Sequence, residues 1–102
     1  MPVPTMPTLV PAVTLDSLLT RKPDILSTEI DGETVLMSVE RGSYYGLATT
    51  ARDIWLRLEE PMRASDLCRD LATAYDGDLE QITAETLNFL DRLVNAGLIR
   101  AG

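Results

Sequence analysis

Between the apolar runs "ILSTEI" (25–30) and "TVLMSV" (34–39) stands an Asp31-Gly32 step, followed by Glu33. Such a step supplies the positive φ that a tight hairpin turn requires, and alternating apolar runs on both sides supply the strands. The chain is thereby committed to a local antiparallel hairpin. The second run ends at "ERG", where Gly42 offers another turn, and "SYYGL" (43–47) reads as a third short strand. Together they predict an antiparallel three-stranded meander. Strand alternation places Tyr45 and Leu47 on one face and Tyr44 and Gly46 on the other.

Helical periodicity takes over directly afterwards. Thr49 and Thr50 are suited to cap a helix, and Asp53 stands three residues beyond Thr50 as in a capping box. Ala51, Ile54, Trp55 and Leu58 then recur at i, i+3, i+4 and i+7, the stripe of a helix with one face in a core, until Pro61 stops it. A second helix is predicted from about Ser65 to Tyr75, with Leu67, Cys68, Leu71, Ala72 and Tyr75 on one side and "DGD" closing it. The third runs from about Leu79 to Ala96. Asp78 is its cap, Gln81 sits at the matching box position, and Gly97 ends it in a left-handed conformation. "LIRAG" leaves as a short strand. The predicted class is therefore α+β, a meander followed by three helices, and the order helix, turn, helix, strand is that of a winged helix.

With 102 residues the chain has room for one domain and little room for a deep active site. Five of the six prolines lie within the first two dozen residues. Residues 1–13 are read as a Pro-rich arm and 14–102 as the domain. The formal charge is −7, from 16 acidic against 9 basic residues with no histidine. A phosphate-tracking surface gathers Lys and Arg on one face, and no basic run appears, so neither nucleic acid nor an anionic membrane is an expected partner. Without histidine no Ser/His or Cys/His pair can be assembled, and the lone Cys68 sits among apolar residues at helical spacing, as a small buried hydrophobe does. No spacing suggests a metal or cofactor site. No run approaches a membrane span or a secretory signal, which makes a cytoplasmic location the expectation. A non-catalytic binding module is expected rather than an enzyme.

Two features exceed what a core needs. Projected at about 100° per residue, the third helix places Thr86, Phe89, Leu90, Leu93 and Gly97 around a core face, with Leu87 and Val94 outside it toward Asp91. Its apolar arc spans about half the circumference, where one packed side needs roughly 100°. The third strand carries no proline, charge or other guard within "SYYGL", so its outer edge is open to an added strand. Gly46 lets another backbone approach closely.

The run "ERGSYYGLATTARDIWLRL", followed by "ASDLCRDLATAYDGDLEQITAETLNFLDRLVNAGLI", resembles the PqqD-like proteins, or precursor-peptide recognition elements. The resemblance covers about Leu26 to Ile99. It rests on Gly42, Tyr45 and Leu47 at the hairpin exit, the Ile54-Trp55 pair, and the Phe-Leu, Leu and Gly-Leu series of the last helix. It implies a winged-helix-like domain that takes up the leader segment of a ribosomally made precursor peptide as an antiparallel strand. The edge would be Arg41 to Leu47, including Ser43, Tyr44, Tyr45 and Gly46, and the groove wall Leu87, Leu90, Asp91 and Val94. By implication the partners are a precursor peptide and a leader peptidase or other modifying enzyme. The "YYGL" form resembles stand-alone leader binders of lasso-peptide pathways. Ala48 stands where many relatives have Asn, which moves the helix cap to Thr49 or Thr50.

Two other readings remain open on the sequence. A winged-helix transcription regulator would account for the helical half, but its recognition helix would present Glu80, Glu85 and Asp91 against Arg92 to DNA. An open edge could also pair with its own copy as a weak homodimer, or be filled by the Pro-rich arm.

Overall fold

A computed structural model describes residues 13–102, so the expected arm, apart from Val13, lies outside the described residues. Six strands and three helices follow in the order β1 (Leu18–Arg21), β2 (Ile25–Ile30), β3 (Glu33–Ser38), β4 (Ser43–Leu47), α1 (Thr49–Arg57), β5 (Met62–Arg63), α2 (Ala64–Ala74), α3 (Leu79–Asn95) and β6 (Ile99–Ala101). The class is α+β, as the sequence predicts.

The meander is formed by β2, β3 and β4 in that order, all antiparallel. Ile30 pairs with Glu33 across the turn, where Asp31 has φ 51° and Gly32 φ 83°. Both central residues are left-handed, the geometry that an Asp-Gly step tolerates and most pairs do not. Thr34, Leu36 and Ser38 of β3 point into the core and are buried, while β2 is exposed along nearly its whole length. The Thr34 hydroxyl, taken out of water, donates to the Glu29 carboxylate on β2, which also accepts from Arg52 Nε at 2.9 Å. The side-chain bond from Thr34, together with Arg52, holds the Glu29 carboxyl below its usual range.

A second sheet is not foreseen by the sequence beyond its last strand. β1 lies between β5 and β6, antiparallel to both, with Leu19 opposite Met62 on one side and Ala101 on the other. With α1, β5, α2, α3 and β6 in succession, this is the winged-helix arrangement, its middle strand drawn from before the meander. One core joins the two sheets and the helices: Leu19, Leu36 and Leu47 from strands meet Ile54, Trp55, Leu58, Leu67, Leu71, Leu90, Leu93, Leu98 and Ile99. The Arg21 guanidinium lies over the Trp55 ring, 4.3 Å from its centroid, and donates to the Trp55 carbonyl. Burial pushes the Arg21 pKa down, against the pull of Glu59. Cys68 is buried in the α2 face, and burial pushes its thiol pKa up, away from nucleophilic character.

The helix ends correct two expectations. Ala48, not Thr49 or Thr50, occupies the N-cap of α1, with no side-chain cap bond. Thr49 sits at φ 52° and turns its hydroxyl back to the Ala48 carbonyl at 2.7 Å, so it cannot reach the amides ahead. Asp53 is taken elsewhere, accepting from Arg57 Nε at 2.7 Å and from the Tyr75 hydroxyl at 2.6 Å. Asp78 does cap α3, accepting from the Glu80 N–H at 3.2 Å. The box is not closed by Gln81, whose amide instead donates to Glu85 one turn on. Gly97 ends α3 at φ 78° as expected.

Candidate functional site

The strand β4 has β3 on one side and no strand on the other among the described residues. It holds no proline and no charged residue. Its alternate backbone N–H and C=O groups therefore face outward unguarded, and those groups recruit a further strand readily. Tyr44 projects from the outer sheet face and is 72% exposed, whereas Tyr45 leans on the core and Leu47 enters it. The outer face also carries a cross-strand row of Leu26, Met37 and Tyr44 in register.

Beside this edge lies a cleft of about 420 Å³ between β4 and the C-terminal half of α3. Tyr44, Tyr45, Gly46 and Leu47 form its strand side; Phe89, Arg92, Leu93 and Ala96 form its helix side, and Leu98 closes it. Phe89, Leu93 and Ala96 recur at helical spacing, so their side chains stack along one face of α3. Leu93 and Leu98 are buried and fix the floor, while Phe89 and Ala96 stay half-buried at the opening. Arg92 is the one charged residue that lines the cleft. Its geometry suits an extended chain whose backbone pairs with β4 while alternate side chains enter an apolar slot.

The expected wall of Leu87, Leu90, Asp91 and Val94 does not line this cleft. Leu90 is fully buried in the core. Asp91 accepts from the Val13 N–H at 2.6 Å, so its carboxylate holds the chain entering the domain. Val94 borders a different cleft, with Leu18, Thr20 and Lys22 of the small sheet region and with Arg41. Leu87 is partly buried against the core. Two sheets flank α3, and helical projection alone does not say which sheet faces which side. Arg41, expected on the edge, lies in the loop before β4; its Nη1 donates to the Asn95 carbonyl at 3.1 Å and its guanidinium rests against Gly97. The edge residues Ser43 to Leu47 are where the sequence places them. Sequence reasoning missed Phe89, Arg92, Ala96 and Leu98 as cleft residues, although the spacing Phe89, Leu93, Ala96 carries a signal for such a stripe.

Among the described residues no group of three or more Cys, Asp or Glu gathers as metal ligands, and no helix is long and apolar enough to cross a membrane.

The chain matches the family model described as coenzyme PQQ synthesis protein D (PqqD) over residues 33–99, more than half of its length. Among solved structures it is similar to TbiB1 in complex with the TbiA(beta) leader peptide, with a TM-score of 0.74 and 28% identity, over 79% of this chain and 94% of that one. Among curated proteins none matches.

Proposed function

The chain belongs to the PqqD family, and from that premise we propose that it is a non-catalytic adaptor for a ribosomally made precursor peptide. The leader segment of that peptide pairs with the outer edge of β4 as an added strand. Its alternate side chains enter the cleft between Tyr45, Leu47, Phe89, Leu93 and Ala96. The adaptor then presents the attached core segment to a leader peptidase or other modifying enzyme of a lasso-type pathway. The observation that carries the reading is the coincidence of an unguarded strand edge with an apolar cleft directly beside it. The likeness to TbiB1, solved with a leader peptide, supports the class of ligand.

Strand addition supplies affinity through backbone bonds common to any sequence, so specificity rests on the few side chains that fill the cleft. An extended leader must offset its own ordering cost, which makes one or two apolar anchors dominant. Amide hydrogen exchange tests the mode. Precursor leaders encoded near the gene, with the TbiA(beta) leader as a reference peptide, are added to the protein, and the outward amides of Ser43–Leu47 should slow markedly on binding. Amides there that are already slow without peptide, and unchanged with it, would overturn the proposal.

A further inference from the structure

We infer that the protein has a second docking surface, a basic cleft on the β1/β6 side that takes an acidic peptide segment. This cleft has a volume of about 580 Å³ and is separated from the β4 groove by the end of α3. Three cations converge on it from three parts of the chain: Lys22 just after β1, Arg100 within β6, and Arg41 from the loop before β4. No Asp or Glu side chain lines it, although the chain carries 16 of them and a formal charge of −7; the one anion on its lining is the α-carboxylate of Gly102. The acidic residues nearest in sequence are Glu40, beside Arg41, Asp16 and Asp24, each two residues from a lining residue, and Asp91, which is taken by the Val13 N–H.

The segregation follows from the fold. Thr20 and Arg100 stand opposite one another across β1 and β6. Since Leu19 and Ile99 turn inward to the core, Thr20 and Arg100 share the outer face. Arg52, Arg57 and Arg69 are each paired with a carboxylate, whereas none of Lys22, Arg41 and Arg100 forms an ion pair among the described residues. Leu18 and Val94 add apolar contact between the charges.

Three cations gathered around a single carboxylate leave a net positive local potential, so an anionic ligand gains from all three at once. An acidic peptide fits better than nucleic acid. Three cations are few for tracking phosphates, the remaining surface is strongly acidic, and the cleft offers apolar contact that Asp and Glu stems or interleaved apolar residues would use. Because Arg41 leads straight into β4, the segment can lie beside a strand docked on that edge, but the cleft does not depend on it.

The test uses fluorescein-labelled hexaglutamate in anisotropy titrations at low and moderate salt, with hexalysine and a short DNA duplex as comparison probes. Saturable hexaglutamate binding is expected, weakening with salt, with amide shifts in 15N spectra centred on Lys22, Arg41 and Arg100. Arg100→Glu, and separately Lys22→Glu, should weaken it about fivefold or more, beyond what one exposed pair contributes. The charge-matched Arg69→Glu on the surface of α2 should change it less than about twofold. Equal weakening by Arg69→Glu would reduce the effect to overall charge and overturn the inference. So would tighter binding of the duplex, or shifts scattered over the surface. Leader exchange at β4 is read separately, so the two readings can fail independently.

Discussion

The Val13 N–H donates to Oδ1 of Asp91 across 2.6 Å, tying the entry of the domain to α3 over a separation of 78 residues. Val13 is buried beneath this bond as part of the core. Asp91→Ala should therefore lower stability by about 1–3 kcal/mol, the range for a partly buried charged bond, in urea denaturation. It should leave leader affinity within about twofold. A tenfold loss of affinity with unchanged stability would return Asp91 to the groove.

Leader binding should respond to the helix side of the β4 cleft. Ala96→Glu places a charge at its opening and is expected to weaken leader binding about tenfold or more, as loss of an interface anchor does. Val94→Asp faces the other cleft and should leave the leader's Kd nearly unchanged. Leu90→Ala belongs to the core, and its cost should appear as about 2–5 kcal/mol of stability. Fluorescence titration alongside urea denaturation separates the three.

Gly97 cannot take a side chain without strain. Its φ is 78°, and a Cβ there would lie 2.8 Å from Cζ of Arg41. Gly97→Ala should cost about 1–2 kcal/mol for the left-handed conformation alone, plus the displacement of Arg41 from the end of α3. Thermal unfolding reads the first, and the Arg41 side-chain NMR signals the second.

Arg21 over Trp55 is expected to be intolerant of lysine. An ammonium cannot stack on the ring and reach the Trp55 carbonyl as a planar guanidinium does. Arg21→Lys should destabilise by about 1–2 kcal/mol, measured by urea denaturation. An unchanged midpoint would show that the stack contributes nothing.

Acid should reach the α1–α2 junction through Asp53. Burial raises its pKa, but the Tyr75 hydroxyl and Arg57 more than offset that, and the net shift is downward. A carboxyl depressed on folding contributes stability that is present above its unfolded pKa and lost as pH falls through the folded one. Wild-type stability should therefore decline below the ordinary carboxylate range more steeply than that of Asp53→Asn. Parallel acid limbs in the two proteins would refute the coupling.

Local signals made the meander and three helices legible. The Asp31-Gly32 turn fixes register between β2 and β3, and the 3.6-residue spacing of Ile54, Trp55 and Leu58 gives α1 its buried face. The small sheet was hidden because its pairings are remote: Leu18 meets Arg63 and Leu19 meets Ala101, while β5 is two residues long and "LLTR" lacks a clean alternation. Propensity favours threonine as the cap of α1, whereas the chain enters that helix through an extended Ala48 and a left-handed Thr49. For the site, the strand half was readable from the absence of guards in "SYYGL". Which face of α3 lines the cleft beside that edge is not readable, since choosing between Phe89–Ala96 and Leu87–Val94 requires knowing where the second sheet stands.

The pairing of β1 with β6 has a consequence for synthesis. Thr20 waits for Arg100 and Arg21 for Ile99, so a nascent chain that has closed its β2–β4 meander still leaves β1 without its β6 partner until β6 clears the ribosome. During that interval the β4 edge exists before the finished domain does. A precursor or chaperone able to cover it then would act on a half-built protein.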